Sequence, residues 1–157
     1  MEIYFILVEP QYPENVGSVA RAIKTMGFSK LVLVNPCDYL SKEAKWLAHG
    51  SIDMLENALV FKTIEEALKD IDFLIATTSK KRKTNFNYHL PQEISGILID
   101  KQETISNVGI LFGREDTGLK NEELKFADVI TSVPIKCSYP SINLAQTVMI
   151  YAYELSK

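Results

Sequence analysis

Short continuous apolar runs alternate along the chain with stretches whose apolar residues recur at helical spacing. Continuous runs of this kind are typical of strands buried on both faces, as in a parallel sheet covered by helices. The predicted strands are Ile3–Val8, Leu31–Val34, Leu59–Phe61, Phe73–Ala76, Val108–Phe112 and Val129–Val133. Strands and helices in strict alternation predict an α/β fold with a parallel sheet and helices on both faces.

The segments between the runs carry the helical pattern. Residues from Val16 to Met26 form an apolar stripe, which Gly27 would close as the residue after the helix. Further helices are predicted at 41–48, 64–69, 92–100 and 122–126, and residues 77–90 are predicted to form a polar, basic loop.

The last segment, Pro134 to Tyr153, predicts a strand end, a polar loop and a final helix. Asn143 can cap that helix, and Gln146 stands three residues on, where it can bond back to the cap. One buried face is predicted to consist of Leu144, Val148, Tyr151, Ala152 and Leu155. Other apolar residues point elsewhere: Met149, Ile150 and Tyr153. A helix that is apolar on several faces must be covered on several sides, so a second subunit is expected against it.

Composition narrows the class of protein. A length of 157 residues suits one domain. Because the net charge is −3, any binding of RNA must use a local basic patch. Cys37 and Cys137 are outside any CxxC, and His49 and His89 are isolated, so zinc-ligand spacing is absent. The apolar run Ile3–Val8 is too short for a signal sequence or a membrane span. We therefore expect a cytoplasmic protein that binds no metal and is not inserted in a membrane.

Two polar clusters flank predicted elements in the first and last thirds of the chain. Asn15, Ser18 and Arg21 share the start of the first helix, although a solvated helix surface would look the same. Gly113 follows a buried strand, at the edge where ligands bind open α/β sheets, and Arg114 to Asp116 crowd charges of both signs behind it. A solvent-facing turn is the alternative for this second cluster.

A third cluster, Thr77 to Ser79, also follows a strand, and the basic run Lys80–Lys83 comes directly after it. Aromatic residues between 86 and 89 interleave with these charges, which suits contacts to phosphate and base stacking. A solvated charged loop is equally compatible with the pattern. Dinucleotide, Walker, nucleophile-elbow and metal-triad motifs are not present.

Taken in order, these clusters resemble the three motifs of the SPOUT class of RNA methyltransferases, in its ribose 2′-O-methylating group. The first matching block is Asn15–Arg21, and the second is Leu111–Glu115 with Gly118 and Leu119. The third is Pro134 and Ile135 with Pro140–Gln146, and the resemblance covers essentially the whole chain. Ala20–Gly27 and the helix that ends Tyr151-Ala152-Tyr153-Glu154 are most similar to a branch that methylates a ribose in the transfer RNA anticodon loop.

The resemblance implies one α/β domain over residues 1–157, with a C-terminal trefoil knot that binds S-adenosyl-L-methionine. It also implies a homodimer that packs through the knot and the C-terminal helix. Members of the branch often carry a C-terminal extension that helps to grip tRNA, whereas this sequence stops at Lys157. Either the chain is a minimal member, or it is the catalytic domain of a longer protein.

The same resemblance assigns roles by position. The implied cofactor-binding residues are Thr77, Thr78, Ser79, Gly113, Ile135, Ile142, Asn143 and Leu144. The implied catalytic residues are Asn15, Arg21, Glu115, Ser141 and Asn143, with Arg21 supplied by the partner subunit. Candidates for RNA phosphate contact are Lys24, Lys30, Lys80, Lys81, Arg82 and Lys83.

Three other functions remain open on the sequence. One is a ribosomal RNA methyltransferase of the same class, and another is a non-catalytic RNA-binding dimer with the same fold. The third is a nucleotide-dependent oxidoreductase on a doubly wound sheet, which the missing glycine fingerprint disfavours.

Overall fold

In the computed structural model of the chain, which describes residues 1–79, 87–138 and 142–157, seven strands form one sheet. The strands are β1 Glu2–Val8, β2 Lys30–Val34, β3 Leu59–Phe61, β4 Phe73–Thr77, β5 Tyr88–His89, β6 Asn107–Phe112 and β7 Val129–Thr131. Their order is β3-β2-β1-β6-β4-β7-β5, and every neighbouring pair is parallel. The predicted parallel sheet is confirmed.

Helices cover both faces of this sheet, as predicted. They are α1 Pro13–Thr25, α2 Lys42–Ala48, α3 Ile52–Glu56, α4 Ile64–Leu68, α5 Ile94–Lys101, α6 Asn121–Leu124 and α7 Leu144–Leu155. Because side chains alternate along a strand, Phe5 and Leu7 join the core under α1, α2, α3, α5 and α7. Ile6 and Val8 join the second core, under α4 and α6.

The carboxyl ends of the parallel strands meet at one edge of the sheet. Two residues at this edge adopt left-handed backbone angles, Glu9 with φ 46° and Asn35 with φ 43°. Their N–H groups still donate across the edge, from Glu9 to the Val34 carbonyl at 2.8 Å and from Asn35 to the Phe61 carbonyl at 2.9 Å. The chain therefore turns sharply off β1 and β2 without leaving these backbone donors unsatisfied.

The structure differs from the sequence-based predictions of local structure in three places. Tyr88–His89 is a strand that pairs with β7, although residues 77–90 were predicted to be loop throughout. A two-residue strand is too short to show a period, so only its tertiary pairing defines it. The last strand ends at Thr131 rather than Val133, and helix α3 was not predicted.

The final helix has the predicted cap. The Asn143 side chain accepts a hydrogen bond from the Ala145 N–H at 2.8 Å, and the Gln146 side chain accepts one from the Asn143 N–H at 3.3 Å. The predicted buried face is confirmed, with Leu155 only partly buried. Tyr153, in contrast, is 53% exposed, so this chain leaves part of the apolar surface of α7 uncovered.

Helices α1 and α2 approach closely because Gly17 has no side chain. A Cβ at Gly17 would lie 2.0 Å from the Ala44 carbonyl oxygen, which belongs to the rigid backbone of α2. We expect Gly17→Ala to destabilise the fold by about 1–3 kcal/mol or more, because the two helices must separate. Urea unfolding followed by circular dichroism measures this.

Gly96→Ala is the matched control, because nothing lies within 4 Å of the Cβ it would add in α5. That substitution should stabilise the helix by about 0.5–1 kcal/mol. Equal stabilities of the two variants would contradict the close approach of α1 and α2.

Candidate active site

A cavity of about 380 Å³ opens at the carboxyl edge of the sheet, between the ends of β4 and β6 and the start of α7. This is the size range of ligand pockets in proteins. Its lining residues come from three separate parts of the sequence: 77–79, 112–118 and 133–151. The topology therefore brings together three clusters that the sequence separates.

Most of the predicted cofactor-binding residues line this cavity: Thr77, Thr78, Ser79, Gly113, Ile135, Ile142 and Leu144. Asn143 is not among the lining residues and instead caps α7 beside the cavity. The structure thus places seven of the eight predicted cofactor-binding residues around one cavity.

The cavity wall combines aliphatic and polar residues. Val133, Ile135, Ile142 and Leu144 supply aliphatic surface from the segment that leads into α7. Thr77 contributes less polarity than its residue type suggests, because its hydroxyl donates to the Leu111 carbonyl at 2.9 Å. Such a wall can hold a flat ring system between aliphatic side chains and leave backbone groups to bond its edge.

Tyr151 lies under the cavity and has a structural role. Its hydroxyl is 3.1 Å from the Thr131 hydroxyl, and its ring packs edge-on against Phe112 with the centroids 5.7 Å apart. Burial raises the pKa of Tyr151 to about 12, against the opposing effect of the Thr131 hydrogen bond. The phenol therefore stays protonated at neutral pH.

A chain of hydrogen bonds connects three of the predicted catalytic residues. The Asn143 amide donates to the Asn15 side-chain oxygen at 2.9 Å, and the Asn15 amide donates to the Glu115 carboxylate at 3.2 Å. That carboxylate also accepts from the backbone N–H groups of Gln11 and Tyr12, at distances from 2.9 to 3.2 Å. Glu115 therefore fixes the loop after β1 against the loop after β6.

Arg114, which a solvent-facing turn would have exposed, points inward, and its side chain is only 9% exposed. It forms two hydrogen bonds to the Glu123 carboxylate, at 2.9 and 3.1 Å, and one to Glu9. Because of the hydrogen bonds to Glu123 and Glu9, which outweigh burial, the pKa of Arg114 is raised. Burial alone would raise the pKa of Glu123, but hydrogen bonds from Arg114 and from the Lys120 backbone lower it.

The turn that follows Gly113 explains why a glycine is needed there. A Cβ at Gly113 would lie 2.2 Å from the carbonyl carbon of Gly118, and Gly118 itself has φ +69°. The Gly118 N–H donates to the Arg114 carbonyl at 2.9 Å and closes the turn. The backbone of β6 therefore lies directly against the loop that lines the cavity.

Arg21 does not line this cavity in its own chain. It is exposed on α1, in a shallower depression shared with Lys24, His49 and Gly50. The Lys24 ammonium lies 2.7 Å from the Asp53 carboxylate and 3.1 Å from the Gly50 carbonyl, and its hydrogen bond lowers the pKa of Asp53. Lys30 lies 3.6 Å from the Glu2 carboxylate.

Several predicted residues lie outside the described residues: Ser141 of the catalytic set and the basic run Lys80, Lys81, Arg82 and Lys83. Within the described ranges, no group of three or more His, Cys, Asp or Glu side chains could hold a metal ion. None of the helices in those ranges is long and apolar enough to cross a bilayer.

This sheet, with its cavity at the carboxyl edge, has the architecture of the SPOUT methyltransferases. The sequence pattern of the SpoU rRNA Methylase family matches residues 2–153, and the chain belongs to that family. The resemblance stated from the three motifs is confirmed. The trefoil knot that the resemblance implies stays a prediction.

The chain is similar to proteins from several organisms. It is 47% identical over 156 residues to an uncharacterized tRNA/rRNA methyltransferase LasT of Escherichia coli, covering 99% of this chain and 68% of the relative. It is 37% identical to the tRNA (cytidine-2′-O-)-methyltransferase TrmJ of Methanocaldococcus jannaschii, covering 98% of this chain and 66% of that protein. The chain thus spans about two thirds of the length of these relatives.

Two solved structures support the same fold. The crystal structure of TrmJ from Z. mobilis ZM4 superposes with a TM-score of 0.90 at 37% identity, covering 99% of this chain and 69% of that one. A probable methyltransferase from Bordetella pertussis has a TM-score of 0.92 at 38% identity, with 99% and 94% covered.

Proposed function

We propose that this chain is an S-adenosyl-L-methionine-dependent methyltransferase that transfers a methyl group to a ribose 2′-hydroxyl of tRNA, in the cytoplasm. The observation that carries the proposal is the convergence of seven predicted cofactor residues on one cavity, in a chain of the SpoU family. Relatives named as tRNA 2′-O-methyltransferases support the substrate. The anticodon loop is the proposed region, on the similarity of Ala20–Gly27 to that branch.

The residues around the cavity fit S-adenosyl-L-methionine. The aliphatic wall suits an adenine ring, and two carboxylates, Glu115 and Asp116, suit a ligand with positive charge. Arg114 is the one cationic side chain among the described lining residues, and its charge is balanced by Glu9 and Glu123. When bound, the cofactor supplies a methyl group already activated on a sulfonium, so the reaction needs no metal.

The protein then has to position the acceptor and ease the loss of its hydroxyl proton. We propose that Asn15, which donates to the Glu115 carboxylate, and Asn143, which donates to Asn15, orient the ribose beside the methyl group, together with Ser141. Alignment of this kind contributes up to roughly 7–11 kcal/mol of barrier lowering in well-oriented systems.

Arg21 is the proposed electrostatic partner of the reacting oxygen. A guanidinium is a poor base, so its role is that of a fixed cation beside the developing 2′-oxyanion and the neighbouring phosphate. Lys24 and the run Lys80–Lys83 are proposed phosphate contacts.

We propose that two copies of the chain form the working enzyme. Arg21 lies away from the cavity of its own chain, so a second copy is needed to bring it to a methyl donor. The outward face of α7, with Met149, Ile150 and the exposed Tyr153, offers apolar surface for that contact. Met26, the residue after α1, packs partly buried against the core.

Calorimetry and methyl mapping test the proposal. We expect the purified chain to bind S-adenosyl-L-methionine and not NAD, and to transfer a labelled methyl group to unmodified tRNA. Mass spectrometry of the digested RNA should then find a 2′-O-methyl group in the anticodon loop. Binding of RNA without the cofactor would favour the non-catalytic dimer, and methylation of ribosomal RNA alone would contradict the tRNA assignment.

A further inference from the structure

Helix α2 carries an exposed tryptophan that the packing of the protein does not use. Trp46, the only tryptophan of the chain, is 79% exposed and is the most exposed of the large apolar side chains among the described residues. Helix α2 packs instead through Ala44 and Ala48, which are fully buried, with Ala44 against Gly17. Tryptophan is enriched at binding interfaces, because its ring supplies a large apolar face while its N–H can still bond.

The surroundings of Trp46 are positively charged. Lys42 and Lys45 are exposed on the same short helix, which has one carboxylate, Glu43. His49 comes one turn after Trp46 and lines the depression that also contains Arg21. The surface formed by Arg21, Lys42, Lys45, Trp46 and His49 is here called the α2 surface. It runs from the proposed catalytic arginine over the exposed side of α2.

We infer that the α2 surface is an RNA-binding site, on which Trp46 stacks against an unpaired base while Lys42 and Lys45 contact phosphates. This inference rests on the proposed function: His49, directly after α2, lines the same depression as Arg21, so an RNA whose ribose lies beside Arg21 is next to α2. An aromatic face flanked by cations is the arrangement by which proteins bind unpaired nucleotides. A protein partner would gain little from lysines around the aromatic centre, since lysine is depleted in protein interfaces.

Because Trp46 is the sole tryptophan, its fluorescence reports on this surface without any substitution. Titration of the purified chain with unfractionated tRNA should quench the emission, because stacked bases quench indole. Fluorescence anisotropy of labelled tRNA then gives affinities. Trp46→Ala should weaken binding by roughly 5- to 150-fold, as expected for loss of one stacked base, and Trp46→Phe should lie in between.

Two further variants separate charge from stacking. Lys42→Gln combined with Lys45→Gln should weaken binding and lower the slope of log affinity against log salt by roughly one for each lysine. Phe126→Ala is the matched control, since Phe126 is a 44% exposed aromatic that follows α6, on the opposite side of the sheet. It should leave the affinity for tRNA unchanged.

The possible outcomes separate this inference from the proposed function. Suppose that the chain binds S-adenosyl-L-methionine and tRNA, but that tRNA does not change the Trp46 emission and that Trp46→Ala binds tRNA as tightly as the wild type. The α2 surface is then not the RNA site. Emission that shifts with protein concentration in the absence of RNA would make it a contact between copies and overturn the inference. A chain that binds neither ligand would overturn the proposed function and this inference together.

Discussion

Replacing Arg114 by methionine is expected to destabilise the protein by about 3–5 kcal/mol, because it leaves a buried carboxylate without its partner. Glu123, whose side chain is 11% exposed, would lose two hydrogen bonds, and Glu9 would lose one. Since Arg114 lies between Gly113 and Glu115, the loop that lines the cavity would also loosen, and affinity for S-adenosyl-L-methionine should fall. Urea unfolding and calorimetry measure the two effects.

The double variant Arg114→Met with Glu123→Gln is the control. It removes both charges while keeping an oxygen for the Lys120 N–H, which now donates to Glu123 at 2.7 Å. We expect it to be more stable than the single variant, since the unpaired charge at the buried Glu123 is gone and Glu9 is the more exposed of the two carboxylates. A double variant that is less stable than the single one would show that the ion pair is not the main cause.

The pH dependence of stability provides a second test of the same ion pairs. The pKa values of Glu9 and Glu123 are lowered in the folded protein. Their stabilisation is therefore fully present above the ordinary carboxyl pKa of 4.5 and is lost as the pH falls through the lowered values. Below about pH 4.5, the free energy of unfolding, measured in urea, should fall less steeply with decreasing pH in the Arg114→Met variant than in the wild type.

Replacing Arg21 by alanine is expected to lower the rate of methyl transfer to tRNA by about 10²–10³-fold, the usual effect of removing one electrostatic donor. Affinity for S-adenosyl-L-methionine should be unchanged, because Arg21 is proposed to face the ribose 2′-oxygen and its phosphate rather than to hold the cofactor. Near-normal transfer would contradict the catalytic role, and loss of cofactor binding would make the role structural. Arg21→Lys keeps the charge and should retain part of the rate.

Mixing two inactive variants tests whether Arg21 acts across subunits. Ile142→Lys places an ammonium in the cavity proposed for a cationic ligand, so this variant alone should be inactive. A dimer of one Arg21→Ala chain and one Ile142→Lys chain would contain one intact site, and activity should reappear on mixing. If Arg21 acts within its own chain, the mixture has no intact site and stays inactive.

The apolar runs predicted the six longer strands because strands buried on both faces need continuous apolar sequence. The motifs also predicted which residues would meet, since Thr77, Gly113 and Ile142 line one cavity from three distant segments. The direction of Arg114 could not be predicted, because a charged residue in a turn usually faces water and its partner Glu9 is 105 positions away. A knot has no signature in local periodicity either.

The exposure of Trp46 could not be predicted from the sequence either. An apolar residue in a predicted helix is assigned to the core by default, since a helix usually buries its large side chains. Here small residues, Gly17 and Ala44, make the contact between helices, so the large residue remains outside. Only the packed structure shows whether the small residues or the tryptophan of α2 make the contact with α1.

The place of β1 in the middle of the sheet has a consequence for biosynthesis. Strand β1 leaves the ribosome before both of its neighbours: it pairs with β2 on one side and with β6, about a hundred residues later, on the other. Contacts between such distant segments form slowly, because a long loop must close first. We therefore expect the nascent chain to expose one edge of β1 until Phe112 has been synthesised, and to depend on chaperones during that interval.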